Sequence, residues 1–170
     1  MICEDYIWGR YHQILIELKA KHPLDKWKHQ PKTLGFTEHK TKLGMATNTG
    51  VVLVNKAFIG TDAKAKLDFT IRHEFAHLAA GLHHNHNKVF RGYESYFGAD
   101  TRIDYTSEIE QVQAKIGYKY TVFAHLENGE RKEAGQVHKK TKKYSEYPRD
   151  GRLNMSFGNF RVLKFEFILN

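Results

Sequence analysis

Asp62-Ala63-Lys64-Ala65-Lys66-Leu67-Asp68-Phe69-Thr70-Ile71-Arg72-His73-Glu74-Phe75-Ala76-His77-Leu78-Ala79-Ala80-Gly81-Leu82 is the stretch from which both architecture and chemistry are read. Leu67, Ile71, Phe75, Leu78 and Leu82 recur at steps of three and four, the period of a helix that buries one face. Asp62 is a residue type that caps helix starts, so the pattern predicts a helix from near Asp62 to Leu82 or His83. With His73 at zero on a helical wheel, His77 falls at about 40° and Glu74 at about 100°, whereas the apolar stripe centres at about 160°. The helix therefore turns one side to a core and offers two imidazoles, one turn apart, on the other. Ala76 and Ala80 flank the histidines and are expected to leave room for an ion, a water and a substrate.

Upstream, Ile7, Tyr11, Ile14, Leu15 and Leu18 predict an amphipathic helix over about Tyr6–Ala20, closed off before Pro23. A looser stretch with Trp27 and Pro31 leads to short runs at Leu34–Glu38 and Lys42–Ala46, expected as antiparallel strands, and to Val51–Val54, which is apolar, β-branched and read as a buried strand. Downstream, a third helix is expected over Lys88–Phe97, with Val89, Phe90, Tyr93 and Phe97 on one face and Gly98 after it. A fourth is expected over Ser107–Lys115, ending at Gly117. From Tyr118 onward the pattern changes: Tyr118–Leu126 and Phe160–Leu169 alternate like strands, and Asn128-Gly129 is a hairpin turn signal. The reading is α+β, a helical core with a small sheet over residues 1–116 and a β-rich basic segment over residues 117–170.

Hydrophobic residues make up 41% and aromatics 13% of the 170 residues, enough for a packed core and against a disordered chain. No apolar run is long enough to span a bilayer and no signal-peptide pattern opens the chain. Cys3 is the only cysteine, which excludes an intrachain disulfide. These features point to a cytoplasmic protein. The net charge of +8 is unevenly spread: residues 1–42 carry 8 basic against 5 acidic groups and residues 117–170 carry 11 against 6, whereas residues 43–116 are balanced at 8 against 8. Basic flanks favour a polyanion such as nucleic acid, and a solubilising surface accounts for the same charge.

The chemistry follows from residue types. Neutral imidazoles suit zinc, and a catalytic zinc keeps three protein ligands with one position open for water. His73 and His77 supply two, and Glu74, beside a ligand but turned away from it, is placed to act as general base. His83 and His86 both stand where the chain turns back after the helix. His83 has the spacing of metzincins, although Ala80 occupies their glycine position; His86 would stand at the entrance of the third helix.

Ile71, His73-Glu74-Phe75-Ala76-His77, Ala79-Ala80-Gly81, His84-Asn85-His86-Asn87-Lys88-Val89-Phe90 and Gly98 together resemble the core of SprT-like zinc metallopeptidases. That family includes the Spartan DNA–protein crosslink proteases and small bacterial and phage members. Leu43-Gly44-Met45-Ala46 and Val51–Val54 are similar to the family's hairpin before the motif helix, so the likeness covers about residues 6–100. The family pattern places a third histidine before a glycine and, three residues on, an aromatic. His86 and Phe90 match it, with Asn87 in place of glycine. The resemblance implies a zincin-like fold, one zinc ion on His73, His77 and His86, peptide-bond hydrolysis with Glu74 as base, and protein substrates held on or near DNA. It departs at the C-terminus, where many members carry a cysteine zinc ribbon; His125 and His138 make a poor substitute, and no second zinc is expected.

Two further features are ambiguous. Lys139, Lys140, Lys142, Lys143 and Tyr144, with Tyr147, can bind nucleic acid through charge and stacking, or form a solvated loop between strands. Asp100 and Asp104 can orient an imidazole, or cap helix ends. The competing function is a nucleic-acid-binding module with a structural or vestigial metal site, which would close four ligands by adding both His83 and His86 to His73 and His77.

Overall fold

The computed structural model describes residues 1–170 and is α+β. It divides into two compact units, Met1–Ile116 and Gly117–Asn170. No helix is long and apolar enough to cross a membrane.

In the first unit, α1 (Glu4–Lys21) buries Ile7, Tyr11, Ile14 and Leu18. The strands β1 (Thr33–Thr37), β2 (Gly44–Ala46) and β3 (Val51–Asn55) form one sheet in the order β1-β3-β2. The expected pairing of the first two with each other does not occur. β3 lies between them, parallel to β1 and antiparallel to β2. Val52 and Val54 are fully buried, and the most apolar strand takes the centre, where both of its edges are paired.

The motif helix, α2, spans Lys64–Ala80. Asp62 does not cap it; its carboxylate takes the N-terminal ammonium of Met1 at 2.9 Å. The helix start is satisfied from elsewhere: Glu108 on α4 (Thr106–Ile116) accepts from the Lys66 amide at 2.6 Å. Leu67, Ile71, Phe75 and Leu78 are fully buried, as the periodicity predicts. Ala76 and Ala80 are buried as well, so they serve the packing and do not open space beside the histidines. Phe75 lies 5.1 Å from the Tyr11 ring and 5.8 Å from Trp27, which itself stacks on Phe97 at 5.2 Å. Two ion pairs tie α2 to α1: Arg72 with Glu17 at 2.6 Å, and Arg10 with Asp68.

α2 ends earlier than its apolar stripe suggests. Gly81 has φ 102°, a conformation that favours glycine, and the chain leaves the helix there. Leu82–His84 form one 3₁₀ turn, and Asn85 at φ 48° completes a reversal that leads into α3 (Lys88–Tyr96). Asn87 caps α3, its side-chain oxygen accepting from Val89 and Phe90 amides at 3.0 and 3.3 Å. Phe90 and Phe97 are buried, whereas Val89, expected beside them, is 46% exposed. The buried face of α3 is Phe90 and Glu94, with Phe97 buried at its C-cap.

The second unit is a four-stranded sheet in the order β5-β4-β7-β6, built from β4 (Tyr120–Leu126), β5 (Arg131–Val137), β6 (Ser156–Phe157) and β7 (Phe160–Leu169). β4 and β5 are joined across Asn128-Gly129. A single helical turn, α5 (Lys142–Ser145), interrupts the basic stretch expected as loop. Its small core contains Ala124, Leu126 and Val162, with Phe165, Met155 and Tyr147 packed on it.

Phe75→Ala is expected to lower unfolding stability by about 3–5 kcal/mol, because a ring wedged between Tyr11 and Trp27 leaves a cavity. Val89→Ala should change it by less than about 0.5 kcal/mol. Urea denaturation followed by circular dichroism measures both.

Candidate metal centre

Helical geometry presents His73 and His77 on one stripe of α2, and the Gly81–Asn85 reversal returns the chain so that His86 faces them. The ring centroids of the three imidazoles are 5.0, 5.2 and 5.0 Å apart. One ligand atom from each lies within 4.8 Å of the others, and the Nε2 atoms of His73 and His86 are 3.2 Å apart. Phe90, fully buried, is the floor of the cluster: it stacks on His77 at 4.1 Å and meets His73 and His86 edge-on at 4.9 Å. His83 is not in the cluster. Its ring packs on His84 at 4.1 Å, and His84 in turn pairs with the Asn87 amide at 3.1 Å.

Burial favours the neutral forms of His73 and His77. It lowers the His73 pKa, and it lowers that of His77 to about 4, helped there by the neighbouring histidines. Neutral rings keep a lone pair for a cation at physiological pH.

Behind the cluster stands a residue that the sequence reading did not single out. Glu94 on α3 is 2% exposed, and its Oε1 lies 2.7 Å from His73 Nδ1. Its other oxygen accepts from Arg91 Nη1 at 2.6 Å. A carboxylate in that place requires Nδ1–H, which leaves the His73 Nε2 lone pair turned toward His86. The signal in the sequence was an acid at helical spacing between Phe90 and Phe97, on a face otherwise apolar. Asp100 and Asp104 do not reach the histidines. Asp100 pairs with Arg102 at 2.8 Å, and Asp104 accepts from the Thr106 amide at 2.9 Å, a capping contact.

Glu74 lies on the next face of α2, 5% exposed and against β2. The approach is close enough that a Cβ at Gly44 would sit 2.7 Å from Glu74 Oε1 and 2.6 Å from Thr70 Cγ2. Glycine is therefore needed there to let the strand pass. Burial raises the Glu74 pKa to about 8, opposed by the facing Ala46 amide and by the positive charge of Lys42. The three histidines, Glu74 and the β2 strand border a cavity of about 530 Å³.

No family model, curated protein or solved structure matches the chain. The donor set fits a metal ion: three imidazoles whose ligand atoms converge, one of them oriented by a buried carboxylate, beside an open cavity.

In the second unit, Lys139, Lys140, Lys142 and Lys143 are exposed, consistent with either reading of the basic segment. Tyr144 and Tyr147 are half-buried and turned edge-on to Phe165 at 4.8 and 5.4 Å, so their rings are engaged in packing. Lys140 lies over the Tyr120 and Phe167 rings at 5.2 and 5.6 Å. His125 pairs with Glu166 at 3.0 Å.

Two outcomes follow from this geometry. Glu94→Gln keeps the shape but loses the charge behind His73, and should weaken the affinity of a divalent metal ion for the three histidines by about 10- to 100-fold in a chelator competition. In metal-free protein, Glu74→Gln should stabilise the fold at alkaline pH. A carboxyl whose pKa is raised from 4.5 to about 8 makes folding progressively less favourable across that interval, because the folded state must hold a charge that burial opposes. The variant should match the parent near pH 4.5 and exceed it above about pH 8, by up to about 5 kcal/mol. Thermal melts across pH measure the difference, and the histidine contributions cancel between the two proteins.

Proposed function

We propose that this chain is a zinc-dependent endopeptidase of the SprT-like kind, with His73, His77 and His86 as ligands and Glu74 as general base. The observation that carries the reading is the convergence of three imidazoles beside a buried, separately placed carboxyl group in one open cavity. A zinc ion held there would supply Lewis acidity, polarising a scissile carbonyl and making water more acidic.

The remaining work falls to the chain's own groups. Glu74 removes a proton from the attacking water and delivers it to the leaving amine nitrogen, so one carboxylate serves both halves of the hydrolysis. Its raised pKa suits the second half, and the positive charge of an ion nearby would favour the ionised form needed for the first. Phe90 and Glu94 hold the imidazole planes and exclude water from behind them. β2 lies at the edge of its sheet and borders the cavity, which offers an extended peptide main-chain partners. The resemblance extends the proposal to proteins held on DNA as substrates, with the charge of the exposed lysines as support. The alternative, a closed four-histidine site, is disfavoured by His83, whose ring packs on His84 away from the other three.

Elemental mass spectrometry of purified protein tests the site. One zinc per chain is expected, lost in His77→Ala and His86→Ala and kept in His83→Ala. Glu74→Gln should keep the zinc and lose cleavage of a denatured protein substrate by about 10²- to 10⁴-fold. Undiminished cleavage in that variant would remove Glu74 from its role.

A further inference from the structure

Two ammonium groups border the same cavity, and the hydrolysis described above gives neither a task. Lys66 stands on α2 two turns before His73, and Lys42 lies on the wall that β2 supplies. The Lys66 ammonium is 4.0 Å from the centre of the Phe69 ring and 5.0 Å from that of Tyr105. Phe69 in turn stacks on His73 at 5.8 Å, so a continuous surface runs from the ammonium to the histidines.

Neither cation forms a salt bridge within the chain. Lys42 reaches only the sulfur of Met45, at 3.9 Å. Glu108 directs its carboxylate to the Lys66 backbone amide at 2.6 Å, and Glu94 is engaged with His73 and Arg91. Lys66 is half-buried, and burial lowers its pKa against the opposing charges of Glu94 and Glu108, neither of which comes within salt-bridge distance of its ammonium. Aromatic faces recover part of that loss. A carboxylate from outside would recover more, because charge-assisted hydrogen bonds are the strong ones and the site is already partly dry.

We propose that the cleft selects peptides bearing a carboxylate on the Lys66 side of the scissile bond, with Lys66 as the reading residue and Lys42 adding to the field. This rests on the peptidase reading for its cleavage step, but not for its binding step. Seven helical residues separate Lys66 from His73, about 10 Å along the axis, which an extended peptide spans in about three residues. The carboxylate can come from an Asp or Glu side chain or from a peptide's free C-terminus.

The test uses N-acetylated octapeptides of alanine and leucine in which one Asp, or its neutral isostere Asn, is walked along the chain. Each is made with a free and with an amidated C-terminus. Kd is measured on the zinc-loaded Glu74→Gln protein and kcat/KM on the zinc-loaded parent. At one position Asp should exceed Asn by about tenfold to a hundredfold in both quantities, and the ratio should fall toward one in Lys66→Met. A preference that follows the free C-terminus whatever the internal residue identifies the terminal carboxylate as the source. Equal binding and equal cleavage of every Asp and Asn pair, at both kinds of terminus, overturns the proposal. So does a preference that persists unchanged in both Lys66→Met and Lys42→Met. Discrimination in binding with no peptide cleaved supports the anion site and removes the peptidase reading.

Discussion

Almost the whole circumference of α2 is committed to packing, and the narrow stripe left open is where His73 and His77 stand. Tyr11 and Trp27 close on Phe75 from one side, and β2 presses on Glu74 through Gly44. Glu108 holds the first turn, and Phe90 lies under both histidines. A helix gripped in this way cannot rotate to relieve a misplaced imidazole without breaking contacts in a close-packed core. The rigidity that a coordination site needs is thus a by-product of the same burial that makes the unit stable.

Burial also sets the charge states. Desolvation lowers the His77 pKa to about 4 and raises that of Glu74 to about 8, both in the direction of fewer charges. His77 and Glu74 are therefore both driven toward their neutral forms, and ionising Glu74 carries a stability cost. A cation at the three nitrogens would reverse that balance, since it rewards the carboxylate's charge and needs the imidazoles unprotonated. Residues 43–116 are balanced overall, yet the cavity is lined by two lysines, Lys42 and Lys66, against a single acid, Glu74.

The period of the apolar residues was enough to place α1 and α2 to within a few residues, because burial of one helix face is a local property of spacing. The same reasoning misplaced Val89, since a short helix offers several near-equivalent apolar stripes and only its neighbours choose between them. It paired β1 with β2 because adjacency in sequence is the sole cue available, whereas β3 won the central position by burying more apolar surface on both faces. Asp62 looked like a cap by residue type, and the helix start was capped from α4 instead.

His73, Glu74 and His77 were legible because their geometry needs only one turn of helix, and the resemblance favoured His86 as their partner. Their mutual approach, the exclusion of His83 and the role of Glu94 depend on the Gly81–Asn85 reversal and on α3 packing beside α2. The sequence by itself thus determined which residue types share a helix face, because that follows from 3.6 residues per turn. Only the tertiary structure decided which histidine joins them and which carboxylate stands behind, because those distances are set by a loop conformation and by helix–helix packing between residues far apart in the chain.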